Sequence, residues 1–180
     1  MAVITLTGNN IYLRALEPED LAIVHRIEND ELLWELSTTL TPYSKFTIKE
    51  YLENAHRDIY EVKQLRLVIC KKEDDAVLGM IDLFDYDPKN QRAGVGILVL
   101  EESERGRGYG TEALQLIIRY SFAHLDMHQL YANILEGNDR SIQLFKKQGF
   151  EEVGVKKDWK RFRGSFKNEI LYQLINKNVH

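Results

Sequence analysis

Residues 95–111 constrain this chain more than any other stretch: Val-Gly-Ile-Leu-Val-Leu-Glu-Glu-Ser-Glu-Arg-Gly-Arg-Gly-Tyr-Gly-Thr. Residues 95–100 form an apolar run of strand length, rich in branched side chains, as expected of a strand buried on both faces. Arg105-Gly106-Arg107-Gly108-Tyr109-Gly110 follows, and residues 112–124 carry helical spacing. Alternating glycines permit positive φ and leave the main chain open to a ligand. They sit where the free N–H groups of a helix start point outward, which is an anion site suited to a diphosphate. Arg105 and Arg107 add positive charge there. A plain strand–turn–helix connection, with glycines that only shape the turn, fits these residues equally well.

Two nucleotide motifs fail. A Walker A loop needs Gly-Lys followed by Ser or Thr, which is absent. Gly108-x-Gly110-x-x-Ala113 matches a relaxed dinucleotide fingerprint, but that fingerprint belongs directly after the first strand of a βαβ series, and here the strand lies mid-chain.

The 180 residues suit one domain with a sizeable core. A net charge of -4 gives no broad basic surface, so nucleic acid is not an expected partner. Cys70 is the single cysteine and sits in an apolar run, as a small buried hydrophobe would. No apolar run reaches membrane-spanning length and no signal-like start is visible, so a cytoplasmic setting and no membrane partner are the expectations. The histidines show no metal-ligand spacing beyond a chance pair, and no metal site is expected.

Taken in order, residues 4–6 and 11–16 read as a first strand region. Glu17-Pro18-Glu19-Asp20 starts a helix with Leu21, Val24 and Ile27 on its buried stripe. Residues 46–60 read as one helix with a Thr47/Glu50 capping box and Ile48, Tyr51, Leu52, Ala55 and Ile59 on one face. Residues 65–71, 76–86 and 92–100 read as strands joined by polar turns, which makes antiparallel hairpins the economical arrangement. Residues 129–135 are another strand. A helix then stops at Gly149, with Phe150 packing back, and two strands close the chain around Gly164.

Several blocks now resemble one family. Arg105-Gly106-Arg107-Gly108-Tyr109-Gly110 is similar to the acetyl-CoA signature Arg/Gln-x-x-Gly-x-Gly/Ala of the GNAT N-acetyltransferases. Asn138-x-x-Ser141, with Phe145-Lys-Lys-Gln-Gly149-Phe150 after it, resembles the family's next block. The opening Ile11-Tyr-Leu-Arg14-Ala-Leu with Asp20, and the closing Gly164-Ser-Phe-Lys-Asn168-Glu169, resemble its ribosomal-protein and spermidine acetyltransferase branches.

The resemblance implies an α+β fold, a mixed and mostly antiparallel sheet with flanking helices. The strands at 95–100 and 129–135 would splay into a V. Acetyl-CoA would be the co-substrate, its pantothenyl arm hydrogen-bonded along Leu98, Val99 and Leu100. Its diphosphate would be held by Arg105, Gly106, Arg107, Gly108, Tyr109, Gly110 and Thr111. Asn138 and Ser141 would be cofactor-side contacts, although helix capping suits Asn138 equally. Backbone N–H groups of Leu98 and Val99 would polarise the acetyl oxygen. The tyrosine that protonates the leaving thiolate in many relatives corresponds to Phe145, which cannot. Tyr131 and Ser141 are the nearest hydroxyls by segment.

The expected reaction is acetyl transfer to a primary amine, in the first reading a polyamine such as spermidine. Candidate acceptor residues are Glu28, Glu31, Trp34, Glu35 and Asp82, with Asp30 and Asp85 as further acids. Asp82 and Asp85 share a face only if the strand carries a bulge. Alternatives are a protein N-terminus or antibiotic amine as acceptor, or a non-catalytic acyl-CoA sensor. An oligomer is compatible with all of these.

Overall fold

The structure is a computed structural model and describes residues 5–37 and 39–177, the side chains of Glu35 and Leu36 excepted. Its strands are β1 (Ile11–Ala15), β2 (Leu65–Lys71), β3 (Val77–Asp87), β4 (Arg92–Val99), β5 (Gln129–Leu135), β6 (Glu151–Phe162) and β7 (Ser165–Ile175). Its helices are α1 (Leu21–Glu28), α2 (Glu31–Ser37), α3 (Lys45–Glu53), α4 (Ile59–Val62), α5 (Tyr109–Ala123) and α6 (Asp139–Lys147). The strands form one mixed sheet in the order β1-β2-β3-β4-β5-β7-β6, antiparallel throughout except for the β4–β5 pair. The expected fold class therefore holds. Ile4 lies outside the described residues; of the first strand region, Thr7 makes a single bridge to Tyr12.

Two apolar cores lie on opposite faces of the sheet. On one, Ala113, Leu114, Leu116 and Ile117 of α5 pack with Phe145 of α6 against Ile81, Leu83, Leu130 and Ile134. On the other, Val24 of α1 and Ile48 and Leu52 of α3 pack on Met80. The alternation along β3 makes this possible, because Met80 and Ile81 point to opposite faces. Cys70 is fully buried, as its apolar neighbours suggested.

The expected helix over residues 46–60 is two helices. Ser44, not Thr47, is the cap, and its hydroxyl accepts the Thr47 N–H at 3.1 Å. Asn54 ends α3 by donating both its backbone and its side-chain N–H to the Glu50 carbonyl. Asp58 starts α4 by accepting the Tyr60 N–H. Local polar side chains thus outcompeted a continuing helix, and Ala55 is left exposed. At the other end of the chain Gly149 takes φ +87 and Phe150 turns back edge-on to Phe145, as read.

Candidate active site

β4 and β5 run parallel for only three register pairs, Arg92 with Gln129, Ala93 with Leu130 and Gly94 with Tyr131. Beyond Gly94 they part. The run 95–100 is accordingly not buried on both faces: Val95 is buried, but Gly96, Ile97, Leu98 and Val99 are each partly exposed. The N–H of Leu100 bonds the Leu78 carbonyl at 2.9 Å. Counting back along an antiparallel ladder, Leu98 also faces β3, whereas Ile97 and Val99 turn their polar groups toward the gap. This corrects the expectation for Leu98 as an oxyanion donor: its N–H is directed into the β3 ladder. Val99 keeps the expected direction, and Ile97 joins it.

At the mouth of the gap sits the start of α5. Gly108 is its N-cap at φ +90 with no side-chain cap, and a Cβ built there meets nothing within 4 Å. The Glu112 N–H is the first to bond back, to the Gly108 carbonyl. The N–H groups of Tyr109, Gly110 and Thr111 precede it and have no carbonyl of the preceding turn to bond. Open backbone donors beside empty space fit a diphosphate. The two arginines are less free than their sequence suggested. Arg105 donates to the Val99 and Leu100 carbonyls at 3.0 and 3.3 Å, tying the loop to β4. Arg107 pairs with Glu104 at 3.1 Å. Asn138 caps α6 by accepting the Ser141 N–H at 3.3 Å, so the capping role is realised.

The opposite side of β4 faces α1 and α3. Register partners share a face, so Gly96, Asp82 and Arg66 lie in one line across β4, β3 and β2. Arg66 donates Nη1 to Glu28 Oε1 at 2.6 Å, and Nε and Nη2 to the two Asp82 oxygens at 2.7 and 3.3 Å. Its guanidinium also lies 5.9 Å from the centre of the Tyr51 ring. Burial pushes the Asp82 carboxyl above its ordinary range, and contact with Arg66 only partly offsets this. The sequence did not mark Arg66, and it marked Tyr51 only as part of a helix's apolar face. The available signal was a lone arginine between Leu65 and Leu67 and a lone aspartate between Ile81 and Leu83, opposite charges inside two neighbouring apolar strands.

β3 does carry the bulge that the acids required. The β3–β4 register shifts between Phe84 and Asp87, and Asp85 sits at φ +49. Asp85 thereby accepts a hydrogen bond from the Tyr131 hydroxyl at 3.2 Å, at the apex of the gap. Burial, then the Asp85 charge, pushes the Tyr131 hydroxyl up to about 12, so it is fully protonated at neutral pH. The Phe84 ring meets Tyr131 edge-on and covers Gly94, where a Cβ would fall 2.2 Å from the ring.

The remaining candidates lie apart. Phe145 is 3% exposed and packs in the α5-side core. Trp34 donates its Nε1–H to the Glu28 carbonyl at 2.9 Å, sealing the end of α1, and Glu31 is exposed at the start of α2. The Glu35 side chain lies outside the described residues. Among the described residues no group of acids, histidines and cysteines could hold a metal ion, and no helix is long and apolar enough to cross a membrane.

The family described as acetyltransferase (GNAT) domain matches residues 10–151. An uncharacterized N-acetyltransferase derived from the SPbeta prophage of Bacillus subtilis is 32% identical, over 86% of this chain and 83% of its own. The spermidine N(1)-acetyltransferase of Escherichia coli is 27% identical, over 91% and 85%. Among solved structures, the Vibrio cholerae spermidine N-acetyltransferase in complex with CoA and spermine superimposes with a TM-score of 0.82 at 20% identity, covering 92% of this chain and 95% of the other. With a three-residue parallel pairing that opens into a gap and an uncapped glycine-rich helix start at its mouth, the chain belongs to the GNAT family and is an acetyl-CoA-dependent N-acetyltransferase.

Proposed function

We propose that the acetyl group passes to a primary amine that approaches β4 from the α1–α3 face, with spermidine and other polyamines the first acceptors to assay. The observation that carries this is the parting of β4 from β5 at Gly94, with open backbone on one side of the gap and carboxylates on the other. Acetyl-CoA supplies an acetyl thioester. The gap takes its pantothenyl arm, and the N–H groups of residues 106–111 take its diphosphate. The Ile97 and Val99 N–H groups are the donors available to an acetyl oxygen.

An alkylammonium has a pKa of about 10.4, so the acceptor nitrogen must lose a proton before it attacks. Asp82, raised by burial, and Asp85 are the carboxylates that receive it, directly or through water. The Tyr131 O–H turns from Asp85 to give its proton to the departing sulfur, and the phenolate takes the remaining proton of the attacking nitrogen as the amide forms. Alkylammonium and thioester thus give an amide and a free thiol, with one proton passed through the carboxylate to solvent. Exposed Val153, Val155 and Trp159 on the edge strand β6 suit contact with a second copy, so an oligomer is part of the proposal.

Purified protein should bind acetyl-CoA in calorimetry and release CoA with at least one class of amine. Spermidine, a peptide with a free N-terminus and an aminoglycoside separate the acceptor classes. Binding without release on any amine would make the chain an acyl-CoA sensor and would sink the catalytic roles given to Tyr131 and the two aspartates.

A further inference from the structure

Asp82 looks toward the gap across a residue with no side chain. Its register partner on β4 is Gly96, and β5 has already left β4 at Gly94. Among the described residues, a Cβ built on Gly96 meets only Phe84 Cε1, at 3.9 Å. One strand further back, Arg66 holds both oxygens of Asp82 in a fork, and its third arm reaches Glu28 of α1 at 2.6 Å. Opposite charges facing each other on neighbouring strands can serve the sheet alone. This carboxylate is not sealed, however: its side chain is 22% exposed, and the space over Gly96 is open.

We propose that Arg66 is a positioning residue for acetyl transfer: it holds the Asp82 carboxylate ionised and turned over Gly96 toward the acceptor nitrogen, while Glu28 sets how strongly it does so. The inference rests on the amine-transfer reading above and adds what keeps the acceptor-side carboxylate able to take a proton. A carboxylate drawn out of water favours its protonated form, and a protonated Asp82 has no room for the proton of an ammonium. A guanidinium in contact works against this, and it never gives up its own proton. Glu28 is a second negative charge on the same guanidinium, so it works with burial and against Arg66. The charged and titratable groups facing Asp82 are therefore Arg66 from β2, Glu28 from α1 and the Tyr51 phenol from α3. Asp85, on its own strand, is turned to Tyr131 at the apex.

The test is the titration of the Asp82 carboxyl on the full chain, followed by carboxyl-carbon NMR and assigned with Asp82→Asn. It is set beside the pH profile of kcat at saturating acetyl-CoA. The acceptor is whichever of spermidine, a peptide with a free N-terminus and an aminoglycoside releases CoA fastest. Arg66→Gln removes the cation and should move both the Asp82 titration and the acid limb of kcat to higher pH, with kcat near pH 6 lowered about tenfold. Glu28→Gln keeps Arg66 on Asp82 and should move both to lower pH, which also serves if Arg66→Gln does not fold. Acetyl-CoA affinity should be unchanged in both variants, because the donors for the cofactor lie on the gap side. An Asp82 titration that moves in neither variant overturns the proposal. So does a kcat lowered equally at every pH, the mark of a merely structural role. A titration that moves while the acid limb stays fixed overturns it from the other side, by removing Asp82 as the group that takes the amine proton. Release of CoA with none of the three amines would sink the transfer reading and the proposal with it, an outcome told apart from the others by the absent turnover.

Discussion

The two sides of β4 are built from different materials. On the gap side, the chemistry comes from backbone: Ile97 and Val99 turned away from β3, Gly108 at positive φ and the first N–H groups of α5. On the α1–α3 side it comes from polar and charged side chains that hold one another: Arg66 with Glu28 and Asp82, and Tyr131 with Asp85. Backbone donors are fixed by secondary structure and suit a ligand that is always the same. Side-chain charges can be exchanged one at a time without disturbing the strands, so they suit the part of a site that sets which amine enters.

The largest expected break in this comparison comes from the gap side. Gly108→Val should abolish measurable acetyl-CoA binding, at least about a hundredfold, because a branched side chain would enter the space beside the diphosphate donors and penalise positive φ. The protein should stay folded, since a Cβ there meets nothing within 4 Å. Calorimetry with unchanged affinity would show that the diphosphate lies elsewhere.

At the apex, where the two sides meet, Tyr131→Phe should lower kcat about a hundredfold with acetyl-CoA affinity intact, the usual range for losing a general acid. Phe145→Tyr should gain nothing, because that ring is 3% exposed in the α5-side core, and its new hydroxyl should cost about 1 kcal/mol of stability. An unchanged kcat in the first variant, or a raised kcat in the second, would move the acid from Tyr131 to α6.

The smallest effect probes how the acceptor side is held. Arg14 grips Asp20 with two hydrogen bonds at 2.8 and 2.9 Å, and the Glu17 N–H donates a third, just before α1. Burial raises the Asp20 carboxyl, but these three donors outweigh it and leave it below the ordinary value. A lowered folded-state pKa adds stability above the unfolded value of about 3.9, and the gain disappears as pH falls through the folded value. Asp20→Asn should therefore cost about 2 kcal/mol at neutral pH, and the two stability curves should converge below about pH 3. Curves that stay parallel through the acid range would mean that the carboxylate contributes shape and not charge.

Much of the gap side was legible in the sequence, and much of the acceptor side was not. The strand–turn–helix at residues 95–111 and the stops at Gly149 and Gly164 were readable because glycine preferences and apolar periodicity act over a few residues. The motif also located the glycine-rich helix start, yet it overstated Arg105 and Arg107, whose partners Val99, Leu100 and Glu104 depend on how the loop folds back. Helical periodicity over residues 46–60 missed the break, since Asn54 and Asp58 compete with the helix through short side-chain bonds.

The sequence by itself determined the local elements, the family and the kind of ligand that the glycine-rich helix start can hold. Each of these rests on backbone preferences and spacings that need no distant partner. Tertiary structure alone decided that β5 leaves β4 after Gly94, that a bulge turns Asp85 toward Tyr131, and that Arg66 stands between two carboxylates drawn from α1 and β3. Those outcomes depend on register between strands far apart in the chain, and a shift of one residue would send each of these side chains to the other face of the sheet.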